Sequence, residues 1–353
     1  MKIVELIERI RYYGRRNKFK SYIKETGFYK KHCKSSVKHI RNFLWKYYYI
    51  KYDFLWVYKY YIKYYSFRKD KEVSGNTVYL IIDPSLKYGG LVDRLNVMVG
   101  CYYIAKVNGF EFKIISDPPF RIDDYVEVNG YNWLSEKAAL SYNLRNVRVI
   151  PYIVRGRGIP RLNKGIKQYH VSFVMGHDIL QDNNIPDHGI LWGQLYNTLF
   201  KPREYILRRM KDTGLQENEY IAVHLRFMNA LEHVEDRQFN SLPSEKQEKL
   251  IARCFGGISK ILAENNTHPV VIFSDSNVFL KLVKVLPVYV LEGKVGHISY
   301  NKETEFCAKA FFDFYMISKA RKIYAIRAPE MYTGGYSSHA AMVGYKEVII
   351  VKV

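Results

Sequence analysis

A strand, a glycine turn, a helix and a second strand follow one another within one short stretch of the chain. Residues 78–82 form a short run of β-branched and aromatic residues that is typical of a buried strand. Gly89 and Gly90 follow, and apolar residues then recur at helical spacing over 91–106. Residues 110–115 predict the next strand. Because parallel strands need a crossover connection, this order predicts a βαβ unit in a parallel sheet.

The same alternation returns in the last part of the chain. Strands are predicted at residues 220–225, 270–273, 288–290, 323–326 and 348–351, and helices at 244–264, 276–285, 304–320 and 337–343. The middle is less regular, with strands predicted at 147–150 and 169–174 and a helix at 202–213. We therefore expect an N-terminal α/β domain over 76–214 and a C-terminal α/β domain over 215–353.

The first 75 residues differ in composition from the rest. They hold 20 Lys and Arg against 6 Asp and Glu, a net +14 of the +21 of the whole chain, and 13 of its 32 tyrosines. This predicts a basic, tyrosine-rich helical extension. Charged residues interrupt its most apolar run, so it is not expected to span a bilayer. An anionic membrane surface or a partner protein, packing on the α/β body, and nucleic acid stay open as its contacts.

The cysteines and the opening residues bear on the compartment. Cys33, Cys101, Cys254 and Cys307 lie far apart and form no C-x-x-C pair, which favours reduced thiols. Acidic residues interrupt the first apolar run, and no small-residue cleavage site follows it, so a signal peptide is not predicted. We expect the protein in the cytoplasm, with residues 1–75 able to hold it at the inner face of the membrane.

The glycine turn precedes a polar segment of the first helix. Gly89 and Gly90 leave backbone N–H groups bare at a helix start, where the helix dipole favours anions. Asp93, Arg94 and Asn96 add polar side chains to the first turns of an otherwise apolar helix. The pattern fits either a plain tight turn or one wall of a ligand cleft.

A second polar segment follows the strand at 220–225. His224 and Arg226 lie at its carboxyl end, the edge where open α/β sheets bind ligands. Arg226 has the geometry to bind a diphosphate and to stabilise it as it leaves, or it pairs with a surface acid. Glu232 and Glu235 follow, and either one is a candidate base for an acceptor hydroxyl or a neutralising partner of Arg226.

Three further positions complete the set of candidate ligand contacts. Asp275 follows a strand and begins a helix, so it is either a ligand contact or a helix cap. Asp313 is an acid on a largely apolar helix, where it recognises a purine edge or faces solvent. Tyr336, Ser337 and Ser338 begin a helix after two glycines, which suits phosphate or simple packing.

The motifs that the chain lacks narrow the chemistry. It contains no P-loop, no G-x-G-x-x-G, no H-E-x-x-H and no G-x-S-x-G. It also has no D-x-D of the kind that holds a metal against a sugar diphosphate. We therefore expect no metal and no cofactor, with leaving-group charge met by arginine and helix dipoles.

Taken in order, these segments resemble the GDP-fucose-dependent fucosyltransferase superfamily over about residues 78–353. Gly89-Gly90-Leu91-Val92-Asp93-Arg94-Leu95-Asn96 is similar to its G-G-[LI]-G-D-R-L-x segment. His224-Leu225-Arg226 matches its H-[VL]-R, whose Arg contacts the donor diphosphate and whose His lies beside the nucleotide. Asp313 matches an acid that recognises guanine, and Tyr336-Ser337-Ser338-x-x-Ala341 matches the terminal F-S-x-x-A segment that touches the phosphates.

The resemblance implies a fold and an activity. The fold is GT-B-like: two Rossmann-like α/β domains facing a cleft, with the acceptor on the N-terminal side and the nucleotide sugar on the C-terminal side. The activity is metal-independent, inverting transfer of fucose from GDP-fucose to a hydroxyl of a glycan or of a lipid-linked precursor in polysaccharide biosynthesis. No specific nucleic acid is expected as a partner. The alternative from another class is a basic nucleic-acid- or membrane-binding protein with an α/β scaffold.

Overall fold

Two parallel sheets, each connected through helices, make up the body of the protein. The structure is a computed structural model that describes residues 64–67, 73, 75–82, 89–118, 120–150, 158–171, 178–232, 241–296 and 304–353. Contacts divide the chain into two compact units, Met1–Ser66 and Phe67–Val353. Only residues 64–66 of the first unit are described, so the predicted helical extension lies outside the described residues almost entirely. Both sheets belong to the second unit.

The first sheet contains the predicted βαβ unit. In chain order this part has β1 (Thr77–Ile82), α1 (Leu91–Asn108), β2 (Glu111–Ser116), β3 (Val126–Val128), β4 (Val147–Ile150), β5 (Gln168–Val171), α2 (Ile179–Asp182), α3 (His188–Leu199), β6 (Phe200–Pro202) and α4 (Glu204–Asp212). The sheet has the order β2-β1-β5-β4, and all its pairs are parallel. Strands β3 and β6 pair separately as an antiparallel ribbon.

The second sheet has five parallel strands. Its elements are β7 (Ile221–Leu225), α5 (Ser244–Glu264), β8 (Val270–Ser274), α6 (Asn277–Leu282), β9 (Tyr289–Val290), α7 (Thr304–Lys319), β10 (Lys322–Arg327), α8 (Tyr336–Val343) and β11 (Val348–Lys352). The order is β11-β10-β7-β8-β9. Strand β7 lies at the centre, paired with β10 and β8. Its carboxyl end is therefore flanked by neighbouring strands on both sides.

Alternation along β7 sends its side chains into different surroundings. Ile221, Val223 and Leu225 pack in an apolar core with α5 and α6. Ala222 belongs to a larger core that also contains residues of the first sheet. Because side chains alternate between the two faces of a strand, His224 lies on the face of Ala222. The alternation along β7 thus places His224 on the face opposite that of Ile221, Val223 and Leu225.

Helix α3 joins the two sheets within this unit. The indole Nε1 of Trp192 donates to Asn96 Oδ1 of α1 at 3.0 Å. One turn later, the hydroxyl of Tyr196 lies 2.7 Å from that of Tyr315 on α7. The two aromatic rings of α3 stack with their centroids 5.4 Å apart. The buried face of a single helix therefore contacts helices that connect the strands of both sheets.

The middle of the chain is where the structure differs most from the sequence-based expectations. No helix is predicted over His188–Leu199, and a strand is predicted at 169–174 where the described strand is Gln168–Val171. Residues 172–174 lie outside the described residues. The domain division at 214/215 stays a prediction. Among the described helices, none is both long and apolar enough to cross a membrane.

Gly193 provides a test of the packing of α3. A Cβ at this position would lie 2.1 Å from the carbonyl oxygen of Met342 on α8. We expect Gly193→Ala to lower the free energy of unfolding by about 1–3 kcal/mol, because backbone atoms have to move apart. Gly256, inside α5, is the matched control, since a Cβ on this residue would have no atom of a described residue within 4 Å apart from its chain neighbours and the backbone of its own helix.

The control is expected to change stability in the opposite direction. Gly256→Ala should raise the free energy of unfolding by about 0.5–1 kcal/mol through the helix propensity of alanine. Urea denaturation of both variants measures the two values. Equal stability of Gly193→Ala and the parent protein would contradict the close packing of α3 on α8.

Candidate functional site

A cavity lies at the carboxyl ends of β7 and β8, beside the starts of α1 and α8. Six of the residues that the sequence analysis selected line it: Gly90, His224, Arg226, Asp275, Asp313 and Tyr336. The other lining residues are Leu91, Met228, Phe273, Ser274, Val295, Gly296, Phe306, Lys309 and Ala310. Segments that are distant in sequence thus meet at one site, and Gly90 and Leu91 are its lining residues from the first sheet's elements.

Arg226 enters the cavity directly after β7. Its Nε is buried and has no hydrogen-bond partner among the described residues. The guanidinium carbon lies 5.2 Å from the ring centroid of Tyr332, and Nη2 lies 3.5 Å from the sulfur of Met228. No described carboxylate forms an ion pair with it. The predicted alternative of pairing with a surface acid is therefore not seen in the described part of the chain.

Gly334 allows the backbone to approach Arg226 closely. A Cβ on Gly334 would lie 3.0 Å from Cδ of Arg226 and 3.3 Å from its Nε. Any larger residue would therefore press on the guanidinium. Gly334, before α8, contributes to the site by leaving room for this side chain.

Asp275 fixes the loop that carries Arg226. Its two carboxylate oxygens accept hydrogen bonds from the backbone N–H groups of Phe227 at 2.7 Å and Met228 at 2.9 Å. Met228 has a φ of 51°, a left-handed conformation that non-glycine residues rarely adopt. The two hydrogen bonds stabilise this turn. Asp275 lines the cavity, and its contacts are those of a residue that positions Arg226. Its predicted donor contact stays a prediction.

His224 is neutral in this site. Burial, together with the charges of Arg226 and Arg327, lowers the pKa of His224 to about 3. Its ring lies 5.4 Å from that of Tyr336, measured between centroids. The hydroxyl of Tyr336 donates to the carbonyl oxygen of Ala310 on α7. At neutral pH the histidine is thus a hydrogen-bonding group without a charge.

Asp313 and Lys309 form a buried ion pair on α7. Lys309 Nζ donates to Asp313 Oδ1 one turn along the helix, and the side chains are 4% and 9% exposed. Burial raises the pKa of Asp313, while the adjacent Lys309 opposes that rise. Both residues line the cavity. The sequence analysis selected Asp313 and missed Lys309, although their i, i+4 spacing on a largely apolar helix is a usable signal.

The polar residues after Gly90 stabilise the turn and the helix. Asp93 accepts a hydrogen bond from the backbone N–H of Gly90 at 2.7 Å. Arg94 Nε lies 3.3 Å from the carbonyl oxygen of Gly89, and its guanidinium covers the ring of Phe120 at 4.4 Å. None of Gly89, Asp93 and Arg94 is among the residues that line the cavity.

Asn96 and the serines of α8 also lie outside the lining. Asn96 is buried against Trp192, as described above. Ser337 is buried and Ser338 is half-buried, one and two residues beyond Tyr336. The predicted phosphate contacts of the serines and the cleft-wall role of Asn96 stay predictions.

The predicted catalytic base has no assigned position in the cavity. Glu232 Oε1 accepts a hydrogen bond from the backbone N–H of Val278 at 3.3 Å, and Glu232 is not a lining residue. Glu235 lies outside the described residues. Across the described ranges, no cluster of three His, Cys, Asp or Glu residues could hold a metal ion.

The fold is similar to that of solved fucosyltransferases. A mutant of FUT1 from Arabidopsis thaliana in complex with GDP is 13% identical, with a TM-score of 0.50 over 83% of this chain and 74% of that one. The α-1,6-fucosyltransferase NodZ co-crystallized with GDP is 13% identical, with a TM-score of 0.51 over 76% and 92%. NodZ from Bradyrhizobium is 13% identical, with a TM-score of 0.50 over 76% of this chain and 93% of that one.

The sequence comparisons gave no match. Neither a protein-family model nor a curated protein matches the chain. The structural likeness nevertheless confirms the predicted GT-B-like α/β fold, since the similarity extends over three quarters or more of the chain. The chain thus has the fold that is seen in fucosyltransferases.

Asp275→Asn tests the positioning of Arg226. The amide of asparagine has one accepting oxygen, so one of the two backbone N–H groups loses its partner. We expect the free energy of unfolding to fall by about 1–3 kcal/mol, the cost of an unsatisfied buried donor. Asp187→Asn is the matched control, since Asp187 is exposed and its side chain makes no cap hydrogen bond. Equal stability of both variants in urea denaturation would contradict this role of Asp275.

Proposed function

We propose that this chain is a glycosyltransferase that moves fucose from GDP-fucose to a hydroxyl of a glycan or of a lipid-linked polysaccharide precursor. The observation that carries the proposal is the guanidinium of Arg226, which lies in a cavity and whose buried Nε has no hydrogen-bond partner in the described part of the chain. Two further features support it. The fold is that of fucosyltransferases solved in complex with GDP, and the sequence motifs occur in the order found in the resembled superfamily.

The chemistry of Arg226 suits a diphosphate. An unsatisfied buried N–H costs about 1–3 kcal/mol, and a phosphate oxygen removes that cost on binding. The planar guanidinium presents parallel donors that match two phosphate oxygens. Its positive charge becomes more valuable as negative charge develops on the departing diphosphate. The same side chain therefore binds the donor and lowers the barrier for bond cleavage.

The other cavity residues complete the donor site in this proposal. Asp313 accepts hydrogen bonds from the N–H groups of guanine, as the resemblance implies. Neutral His224 and Tyr336 lie beside the nucleotide, and the N–H groups at the start of α8 face its phosphates. Acidic and basic side chains thus match the base and the diphosphate of one ligand.

The proposed reaction is a single displacement at the anomeric carbon. The acceptor oxygen forms a bond to that carbon from one face while the carbon–oxygen bond to the β-phosphate breaks on the other, so the configuration inverts. The electron pair of the broken bond leaves with GDP, whose charge Arg226 stabilises. The acceptor proton passes to a carboxylate, for which Glu232 and Glu235 are the candidates. No metal has a role in this scheme.

Nucleotide binding and transfer test the proposal together. Thermal shifts with GDP-fucose, GDP-mannose and UDP-sugars should show stabilisation by the guanosine donors, following RT ln(1 + [L]/Kd). Arg226→Ala should keep the fold and lose transfer by at least about 100-fold, because the charge of the leaving group is no longer met. Arg208→Ala is the control, since Arg208 is 74% exposed on α4.

Two outcomes would contradict the proposal. The absence of any response to guanosine nucleotides would remove GDP-fucose as the donor. Transfer by Arg226→Ala at the rate of Arg208→Ala would remove the diphosphate role of Arg226.

Residues 1–75 are proposed to hold the enzyme at an anionic membrane surface on the cytoplasmic side. The support is their net +14 and their many tyrosines. The intact protein should sediment with vesicles that contain anionic lipid, and a chain lacking residues 1–75 should stay in the supernatant while still transferring sugar to a soluble acceptor. Neutral vesicles are the control. Strongly salt-dependent RNA binding, with no sugar transfer by either form, would instead support the nucleic-acid-binding alternative.

A further inference from the structure

We propose that Lys309 determines the base specificity of the donor site by donating a hydrogen bond to the O6 oxygen of guanine, beside the base contacts of Asp313. This inference rests on the proposed function and deepens it. The resemblance assigns a role to Asp313 alone. Lys309 enters because the structure places a second charged side chain in the same wall of the cavity.

Lys309 is unusual in being a buried lysine. It is 3% exposed, whereas lysine is almost never fully buried unless it is paired. Burying an ion pair has a desolvation cost that often exceeds its attraction, so a buried pair is a poor device for stability. A pair that lines a cavity can also bind a ligand, because the donors and acceptors that are not used within the pair face the cavity.

The pair leaves both hydrogen-bond donors and hydrogen-bond acceptors for a ligand. Asp313 Oδ1 accepts from Lys309, and no other described residue donates to either carboxylate oxygen. Lys309 Nζ has three N–H donors, and Asp313 is its hydrogen-bond acceptor among the described residues. The pair thus offers ammonium donors directly beside a carboxylate acceptor.

Packing holds the lysine in place. Its Nζ lies 5.5 Å from the ring centroid of Phe312, whose ring is also contacted by Arg209 at 4.5 Å. A Cβ on Gly293 would lie 3.1 Å from Cδ of Lys309, so the loop after β9 closes on its aliphatic part. The ammonium position is therefore limited before any ligand binds, which lowers the entropy cost of a specific contact.

Guanine matches this arrangement. Its O6 acceptor adjoins the N1–H and N2–H₂ donors, so the ammonium meets O6 while the carboxylate accepts from the two donors. Adenine has an amino group in place of O6. The N–H donors of this amino group would face the N–H donors of the ammonium, and this mismatch disfavours adenine. A phosphate in this position is opposed by the carboxylate of Asp313. The pair therefore favours a guanine base over an adenine base and over a diphosphate.

Binding of three nucleotides distinguishes the contact of Lys309 from those of Asp313. GDP has all the groups, 6-thio-GDP replaces O6 by a poorly accepting sulfur, and IDP lacks the 2-amino group. Dissociation constants are measured by titration calorimetry for the full-length protein and for Lys309→Met, which keeps an unbranched side chain of similar size but removes the ammonium group. The ratio of the constants for GDP and 6-thio-GDP measures the O6 contact, and general damage to the site cancels in it.

The proposal predicts a range for each ratio of dissociation constants. The parent protein should bind GDP at least about tenfold more tightly than 6-thio-GDP, as expected for a hydrogen bond from a charged donor. Lys309→Met should reduce this preference to less than about twofold and keep the preference for GDP over IDP, which depends on Asp313. Asp313→Asn is the reciprocal variant and should reduce the preference for GDP over IDP.

Two results would overturn the role of Lys309 alone. One is equal affinity of the parent protein for GDP and 6-thio-GDP. This measurement uses no variant, so it is valid even if Lys309→Met fails to fold. The other is an unchanged preference in Lys309→Met. Both leave GDP binding, and hence the proposed enzyme, standing. Failure of the parent protein to bind any guanosine nucleotide would overturn the donor assignment and this inference together.

Discussion

The packing of helix α3 between the elements of the two sheets is the constraint on which the cavity depends. Trp192 binds Asn96 of α1, Tyr196 meets Tyr315 of α7, and Gly193 allows α8 to approach within van der Waals contact. These contacts belong to one continuous apolar core. Because the start of α1 is held against the second sheet's helices in this way, the turn at Gly90 becomes a wall of the cavity.

Burial then sets the electrostatics inside that cavity. His224 is kept neutral by desolvation and by neighbouring arginines. Asp313 has its charge balanced by Lys309 on the same helix. Arg226 forms no ion pair with a described carboxylate, and its loop is fixed by the hydrogen bonds of Asp275. A ligand with an uncharged polar ring at one end and a diphosphate at the other fits this distribution of charge.

Local patterns were enough to predict much of the fold and part of the site. The βαβ unit and helix α5 follow from apolar periodicity, and Arg226 follows from its position after a buried strand. Helix α3 was missed because two glycines and two aromatic residues weaken its intrinsic propensity, and packing on both sides overrides that weakness. The sequence predicts Asp93 as a cleft-wall residue and Asp275 as a ligand contact or helix cap, but their hydrogen bonds to backbone N–H groups become visible only in three dimensions.

We propose that one cavity holds a guanosine diphosphate with its base at α7 and its diphosphate at Arg226. A crystal structure of the protein with GDP tests it most directly. We expect the guanidinium of Arg226 to lie within hydrogen-bond distance of the diphosphate oxygens and the guanine edge to lie against Asp313 and Lys309. GDP bound outside this cavity, or bound with its phosphates at Asp313, would contradict it.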